Sequence, residues 1–473
     1  MTHSSYYIPI VNTLPPEVVQ LIFGLLELKQ LVRCLGVCKE WNRILSSLPW
    51  LWRHVHLTAC SQEMTMDYYA QVLTHLVHLA GDHLQWLKLD IELSEALGIR
   101  AIQLIATNRY KYFKRLELNN TSGPEERMLL LRALCNMGPM TTMTFLQLYC
   151  LEINLKEVDH LLHLFPNLTH LDLSDSIIYG NTNHHNNNDI DNYFNAIQLP
   201  ASCTTTRLKV LTLNHIEDSS SIVFNYFLSS CPYLEQFNCY GALPSYEIIQ
   251  HLNQYNRSFL KTLFYGHHHY HHHQQQEQEQ EQEQALQNFI IEPPLQIELD
   301  SIKLDQINDQ DFISMVCYGR AYRTLSKMNI RSCFIPDDTI LSQRQLISNT
   351  ALWPNLRELD LNNVSGLTLK TGLFAFLDAC PVLEKLVFKN IPWWHVTDAT
   401  LDRWTDHYPR LMDIRYFCQP DDITQTAVER LAETKYTIIR QQQQHSNNKN
   451  KNNNFVHLEF NTHTRIHISF PIN

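Results

Sequence analysis

The sequence LTHLDL at residues 168–173 places leucines at the first, fourth and sixth positions of a six-residue phrase. Its second half alternates apolar and polar residues, which is the pattern of a short strand buried on one face. The same phrase, with leucine or another apolar residue in each place, recurs through most of the chain. Its copies, some of them looser, begin at Leu84, Phe113, Met143, Leu168, Leu208, Leu234, Leu260, Leu325, Leu356, Leu383 and Leu411, and the segment 295–299 is a candidate for one more.

Neighbouring copies mostly begin 25 to 31 residues apart. Two intervals are longer, 40 residues before Leu208 and 65 residues before Leu325. Residues 180–195, rich in asparagine, account for the first, and residues 266–285, rich in histidine, glutamine and glutamate, lie in the second. Such hydrophilic tracts bury too little apolar surface to form a core, so we expect them to be flexible inserts. Taking 295–299 as a copy divides the interval of 65 into 35 and 30.

Between the copies, apolar residues follow the helical period, for example at 155–165 and 397–407. These two stretches run into Phe165-Pro166 and Tyr408-Pro409. Because proline excludes the preceding residue from the helical region, each pair predicts a helix end followed by extended chain. One strand and one helix per period is the arrangement of the leucine-rich repeat. We therefore predict an α/β solenoid with parallel strands on its concave face and helices outside.

Residues 14–52 are more apolar than a small helical segment requires. The prolines before Glu17 are typical of a helix start, with an acid near the positive end of the helix dipole. Apolar residues then occupy two helical faces, one with Val18, Leu21, Ile22 and Leu25 and the other with Val19, Phe23 and Leu26. A bundle of about forty residues has a single interior. The second face therefore requires the next domain or another protein.

This segment resembles the F-box. The family pattern is met, in order, by Leu14-Pro15-Pro16-Glu17, Ile22-Phe23, the spaced leucines Leu25, Leu28 and Leu31, Val37-Cys38-Lys39-Glu40-Trp41, and Leu51-Trp52. The chain departs from the pattern at Lys29-Gln30, where an acid is common. The resemblance implies a helical module that docks on the Skp-type adaptor of SCF ubiquitin ligases and, through it, on cullin. With the repeats included, the chain resembles the F-box proteins that carry leucine-rich repeats.

The residues that match the family motif are candidates for adaptor binding. They are Leu14, Pro15, Glu17, Ile22, Leu35, Val37, Cys38, Trp41 and Trp52. An alternative stays open for Leu21, Ile22, Leu25 and Leu35, which fit the core of the bundle equally well.

The fold class that we predict is α/β, a small amino-terminal helical F-box followed by a leucine-rich-repeat solenoid. Alternating residues from Phe455 to Phe470 predict a strand cap, hairpin-like, at the carboxy end. The predicted segments are a tail at 1–11, the F-box at 12–55, the solenoid at 56–440 with inserts at 180–195 and 266–285, a disordered linker at 441–454 and the cap at 455–473.

In each repeat strand the residues between the leucines point away from the core, onto the predicted concave face. Aromatic residues there are candidates for substrate contact: Trp86, Phe145, Tyr149, Tyr240 and Phe417. The alternative is that these rings are solvated or packed at the edges of the sheet. Lysines and arginines near the carboxy end alternate with Glu358 and Asp360, so the face offers no uniform basic pocket for a phosphopeptide.

Composition excludes several other classes of function. The chain has 37 basic and 48 acidic residues, a net charge of −11, which disfavours general nucleic-acid binding. No apolar run is long enough to span a membrane. Gly-rich phosphate loops and the common catalytic motifs are missing, and we expect no cofactor. The histidines of 267–273 have no spaced partner ligands, so we expect no metal site.

These patterns predict the substrate-recognition subunit of an SCF-type cullin-RING E3 ubiquitin ligase, a non-catalytic role. The F-box binds the adaptor and the repeats bind an unidentified target protein for ubiquitination. The alternative is a non-degradative F-box and leucine-rich-repeat scaffold for protein–protein interaction. Residues 1–10 lack a basic start followed by an apolar run, which predicts no signal peptide and a cytoplasmic and/or nuclear location.

Overall fold

The computed structural model describes residues 14–58, 66–90, 95–108, 110–119, 130, 133–134, 138–179, 207–216, 221–241, 245–255, 259–266, 295–317, 321–337, 340–341, 352–367, 372–390, 397–417, 424–445, 455–460 and 466–471. Contacts between residues divide the chain into an amino-terminal unit, Met1–Tyr233, and a carboxy-terminal unit, Leu234–Asn473.

Three short helices open the amino-terminal unit: α1 (Pro16–Gly24), α2 (Leu28–Leu35) and α3 (Lys39–Ser46), followed by a 3₁₀ turn at Pro49–Trp52. Proline occupies the first turn of α1 together with Glu17, as the sequence predicts. A capping box starts α2, in which Glu27 and Gln30 each accept a backbone N–H of the other. Phe23, Leu31 and Leu45 are buried beneath these helices. The module is therefore helical where the sequence predicts it.

Parallel strands follow in the same unit. They are β1 (His54–Thr58), β2 (Trp86–Asp90), β3 (Arg115–Asn119), β4 (Phe145–Tyr149), β5 (Glu152–Asn154), β6 (His170–Asp172), β7 (Ile177–Tyr179) and β8 (Val210–Thr212). Six of them pair in parallel in the order β1, β2, β3, β4, β6, β8, and β5 pairs separately with β7. The helices between them are α4 (Met66–Ala80), α5 (Glu95–Asn108), α6 (Leu155–Leu164) and α7 (Ser221–Ser230), with a 3₁₀ turn at Gly81–His83.

The repeat phrase sets the register of these strands. In β4, Leu146 and Leu148 are fully buried and pair with the leucines of β3 in the same places. Just before the strand, the N–H groups of Thr144 and Phe145 both donate to the Lys114 carbonyl, at 2.9 and 3.1 Å. The same doubled contact precedes β8, where Lys209 and Val210 donate to the Thr169 carbonyl. Such contacts fix the alignment of a strand with the previous one at its first residue.

The carboxy-terminal unit repeats the pattern. Its strands are β9 (Gln236–Tyr240), β10 (Thr262–Gly266), β11 (Ser301–Asp305), β12 (Lys327–Arg331), β13 (Glu358–Asn362), β14 (Lys385–Lys389), β15 (Asp413–Phe417), β16 (Phe455–Phe460) and β17 (Ile466–Pro471). Strands β9 to β16 pair in parallel in chain order, and β17 pairs antiparallel with β16, as the predicted hairpin-like cap requires. Its helices are α8 (Ser245–Gln254), α9 (Asp309–Phe312), which leads into a π-helical turn at Ile313–Cys317, α10 (Ala321–Thr324), α11 (Phe374–Asp378), α12 (Asp398–His407) and α13 (Gln425–His445).

Proline ends the helices as predicted. Phe165 and Tyr408, each just before a proline, have ψ angles of 68° and 69°, outside the helical region. Both residues close their helix by donating an N–H to a carbonyl four residues earlier. The next strand begins within five residues of each proline.

Two expectations from the sequence need correction. The repeat copy sought at 295–299 begins instead at Leu299, since Ile302 and Leu304 are the buried residues of β11. The apolar pattern of Leu295, Ile297 and Leu299 is also buried and precedes the strand, which obscured the register. Second, α13 continues through His445 into the predicted linker at 441–454, of which 446–454 lie outside the described residues. The predicted tail and the predicted inserts, Gly266 excepted, also lie outside them.

Candidate functional site

The first helix of the module carries apolar side chains on two opposite faces. Val19 and Phe23, one turn apart, point into the core and are 5% and 2% exposed. Leu21 and Leu25 point away from it and are 70% and 86% exposed. We define the apolar helical surface as the exposed apolar residues of this module: Val18, Leu21, Ile22, Leu25, Val32 and Val37.

Large apolar side chains in a contiguous stretch of surface cost free energy in water and mark an interface. The core of the bundle is filled by Phe23, Leu31 and Leu45, so the alternative of a core position is excluded for Leu21, Ile22 and Leu25 in this conformation. Leu21 and Leu25 were not among the sequence candidates for adaptor binding. The signal in the sequence is the spacing of Val19 and Phe23, which places both on one helix face and leaves Leu21 and Leu25 on another.

Most sequence candidates for adaptor binding lie on or beside this surface. Pro15, Glu17, Ile22, Val37 and Cys38 are exposed, whereas Leu14, Leu35 and Trp41 are partly buried. The Trp41 ring packs edge-on against Phe23, with 5.4 Å between ring centres. The Cys38 thiol accepts the Trp41 N–H at 3.4 Å and so caps α3.

Trp52 differs from the other candidates because it is fully buried. Its indole N–H donates to the Leu45 carbonyl at 3.0 Å. The phrase Trp52-x-x-Val55-x-Leu57 is a further copy of the repeat, and β1 pairs with β2 in register. Trp52 therefore occupies the place of the first repeat leucine and is not available as a contact surface. The predicted boundary after residue 55 cuts through this strand.

A row of stacked side chains crosses the outward face of the amino-terminal strands. At the first position of five neighbouring strands stand His54, Trp86, Arg115, Phe145 and His170. The Arg115 guanidinium lies between two rings, with its carbon 4.9 Å from the centre of Trp86 and 3.7 Å from that of Phe145. His54 contacts Trp86 edge-on at 5.6 Å, and His170 stacks on Phe145 at 5.6 Å. We call this set the stacked row.

Glu117 lies beside the stacked row, two residues after Arg115 on β3, and neutralises it in part. Its side chain is 3% exposed and accepts a short hydrogen bond from Arg115 Nε. The Lys88 ammonium lies 3.5 Å from its other oxygen. The sequence assigns Glu117 to the outward face, and the two flanking cations explain why a carboxylate is buried there.

Tyr149 lies at the far end of β4 from Phe145. Its hydroxyl donates to Asp172 at 3.3 Å. Burial, with the neighbouring Asp172 charge, raises the pKa of Tyr149, so the hydroxyl stays protonated near neutral pH. Burial also raises the pKa of Asp172, against two hydrogen bonds from Ser174 that lower it.

The outward face of the carboxy-terminal unit is organised by ion pairs. Glu358 lies 2.8 Å from the Lys327 ammonium and 3.5 Å from that of Lys385, on the two neighbouring strands. Asp360 pairs with Lys389 at 3.6 Å. Partial burial raises the pKa of Glu358, but its two lysines outweigh this and lower it. The alternation of charges predicted from the sequence is thus a ladder of direct contacts.

The remaining aromatic candidates are far apart within this ladder, Tyr240 on β9 and Phe417 on β15. The Tyr240 ring lies across Gly266, where any Cβ would overlap it. The Lys389 ammonium lies 5.8 Å from the centre of the Phe417 ring. Of the sequence candidates for substrate contact, only Trp86 and Phe145 are brought together, through Arg115.

Within the described ranges, no group of three histidine, cysteine or acidic side chains is arranged to hold a metal ion. No helix in that part of the chain is long and apolar enough to cross a bilayer.

Comparison with known proteins bears on the helical module. Residues 11–58 match the family model described as F-box-like. Among solved structures, the chain is similar to the crystal structure of the Rad7 and Elc1 complex in yeast, at 13% identity and a TM-score of 0.32, over 85% of this chain and 96% of that one. No curated protein matches the sequence significantly. The F-box-like match spans α1 to β1 and therefore contains the whole apolar helical surface.

Proposed function

We propose that this chain is the substrate-recognition subunit of an SCF-type cullin-RING E3 ubiquitin ligase. Its F-box binds the Skp-type adaptor, and its leucine-rich repeats bind the target protein, in the cytoplasm or nucleus. The chain itself catalyses no reaction. It raises the rate of ubiquitin transfer by holding target lysines near the charged conjugating enzyme, an effect of proximity.

The apolar helical surface is the observation that carries this proposal. It lies in the segment that matches the F-box-like model, and it leaves Leu21 and Leu25 more than two-thirds exposed. Such a surface needs a partner of apolar chemistry. We assign adaptor contact to this surface together with Leu14, Pro15, Glu17, Leu35, Cys38 and Trp41. Trp52, the remaining sequence candidate, is fully buried and is not assigned to the contact surface.

The outward strand faces support the second half of the proposal. Their side chains are not needed for the core, because the leucines of each strand supply it. Trp86, Phe145, Tyr149, Tyr240 and Phe417 are the proposed target contacts. Trp86 and Phe145 have the strongest support, since the stacked row holds both rings in place before a target arrives.

The adaptor interface is tested by the double substitution Leu21→Asp and Leu25→Asp. Interface anchors typically contribute about 2 kcal/mol or more each, and a charge in an apolar interface costs further, so adaptor recovery should be lost. Phe259→Asp is the matched control, because Phe259 is a half-exposed aromatic residue of the carboxy-terminal unit. Full recovery of the adaptor by the double variant, at an unchanged Tm, would contradict the assignment.

The same double variant separates a receptor from a scaffold. Full-length wild type and variant are expressed in cells with and without a proteasome inhibitor, and the bound proteins are identified. A receptor predicts targets that both chains bind and that the inhibitor enriches on the wild type alone. A scaffold predicts no dependence on the inhibitor. Point substitutions are preferable to deleting residues 1–55, because that deletion would cut into β1.

A further inference from the structure

A cavity of about 460 Å³ lies in the amino-terminal unit, between the helical module and the first strand. Gly24 at the end of α1 and Leu26 in the turn to α2 line it on one side, and His54 and His56 of β1 line it on the other. Trp86 of β2 also contributes to the lining. The cavity therefore shares His54 and Trp86 with the stacked row and lies at its end.

Two cations line the cavity, Lys29 in the first turn of α2 and Arg53 just before β1. Neither forms an ion pair with the residues that the structure describes. Glu27 is also in the lining, but its carboxylate accepts a backbone N–H at the start of α2. Partial burial lowers the pKa of His54, and the Arg53 charge lowers it further. The Arg53 charge thus acts on His54, which lines the same cavity.

This arrangement contrasts with cations elsewhere on the outward faces. Arg115 and Lys88 are paired with Glu117, and Lys327 and Lys385 with Glu358. On a chain with a net charge of −11, two cations that share one cavity and lack carboxylate partners form a local positive site.

The stacked row extends from this positive site along the strands. Arg115 covers one face of Trp86 and one face of Phe145, and His170 stacks on Phe145, so ring edges are available for contact. Ring edges carry the positive part of the aromatic quadrupole. A ligand on this row therefore contacts ring edges that are apolar but carry a partial positive charge. Such edges attract carboxylate and carbonyl oxygens of the ligand.

We propose that the cavity and the stacked row bind an extended acidic segment of the target protein, with an aspartate or glutamate side chain held between Lys29 and Arg53. This inference rests on the proposed function, in which the strand face holds the target. Neighbouring strands lie about 4.8 Å apart, so the five strands of the row span roughly 20 Å, the length of about six extended residues. The cavity fixes one end of that segment.

Single-stranded nucleic acid fits these observations less well. It binds by stacking bases on open aromatic faces and by many phosphate contacts. One face of Trp86 and one face of Phe145 are already covered by Arg115, and the cations beside these rings, Lys88 and Arg115, are both paired with Glu117.

The test uses the full-length chain and a fluorescein-labelled hexaglutamate peptide, measured by fluorescence anisotropy. Hexaglutamine, hexalysine, a phosphoserine peptide of equal length and an oligothymidine strand are the comparison probes. We expect hexaglutamate to bind, binding to weaken with salt, and Arg53→Gln and Lys29→Gln each to weaken it roughly tenfold. Lys156→Gln, which removes an exposed lysine of α6, is the matched control and should leave binding unchanged.

Several outcomes would overturn the inference: no binding of hexaglutamate, equal binding of hexaglutamine, tighter binding of oligothymidine or of the phosphoserine peptide, or equal affinity of both cavity variants and the wild type. The two variants act independently, so a folding defect in one leaves the other as the test. Adaptor recovery is measured on the same preparations. A chain that retains the adaptor but not hexaglutamate refutes this inference alone, and a wild-type chain that fails to retain the adaptor refutes the proposed function.

Discussion

The outward strand faces of the two units share one backbone pattern but differ in how their charged side chains are arranged. In the amino-terminal unit, a single arginine lies between two aromatic rings, and its carboxylate partner on the same strand is buried. In the carboxy-terminal unit, lysines and carboxylates alternate across neighbouring strands in contact with solvent. The leucines fix the strand, and the residues between them are free to differ.

This difference has consequences for binding. Exposed alternating charges neutralise one another and contribute little stability. A ligand that docks on such a ladder must compete with pairs that already exist. The stacked row instead presents rings whose positions are fixed, so a ligand loses less side-chain entropy on binding. The outward face of the amino-terminal unit is therefore better preorganised to bind a ligand than that of the carboxy-terminal unit.

The largest difference between the faces should appear when the central carboxylate of each is removed. Glu117→Gln leaves two cations facing a neutral buried group and should lower the free energy of unfolding by about 2 kcal/mol. Glu358→Gln removes an exposed partner and should cost less than about 1 kcal/mol. Urea unfolding of both variants measures the contrast. Equal losses would show that the two faces do not differ in the way described.

A smaller contrast is expected in target binding. Phe145→Ala opens the stacked row between Arg115 and His170 and should weaken target recovery roughly tenfold, whereas Phe417→Ala should have a weaker effect. Quantitative affinity purification with proteasome inhibition compares the two chains. A stronger loss of target recovery with Phe417→Ala than with Phe145→Ala would instead assign target binding to the carboxy-terminal unit.

The smallest predicted effect is a pH dependence of stability, which both units should show in the same direction. His160 of α6 and His251 of α8 are both buried, and burial lowers the pKa of each. The unfolded chain then takes up protons at a higher pH than the folded chain. The contribution of each histidine to the free energy of unfolding is therefore complete above the pKa of histidine in the unfolded chain, about 6.5. It falls as pH decreases through that value. His160→Leu and His251→Leu should each reduce the dependence of the urea midpoint on pH between neutral and mildly acidic buffer. A wild-type urea midpoint that rises on acidification would refute this prediction.

Much of the fold follows from local sequence rules. The spacing of Leu146 and Leu148 gives a strand, and Pro166 gives the end of the helix before the next one. The helices of the module follow from their caps, such as Glu27 with Gln30. These features depend only on residues close together in the chain.

Other features depend on register between strands and could not be predicted this way. Arg115 meets Trp86 and Phe145 only because three strands align at their first residues. Trp52 matched two patterns at once, the end of one motif and the start of a repeat, and only the pairing of β1 with β2 decides between them. The exposure of Leu21 likewise depends on which helix face the small core occupies.

The doubled hydrogen bond that precedes many of the strands has a practical consequence for protein engineering. Asp300 and Ser301 both donate to the Lys261 carbonyl, although residues 267–294 intervene in the chain, and Lys209 and Val210 do the same at Thr169 across 180–206. Alignment is re-established at the strand itself, and the entropy of closing a loop grows only slowly with its length. These two positions are therefore suited to carry an epitope tag or a fluorescent protein inside the chain, which would label the protein while leaving both its ends unmodified.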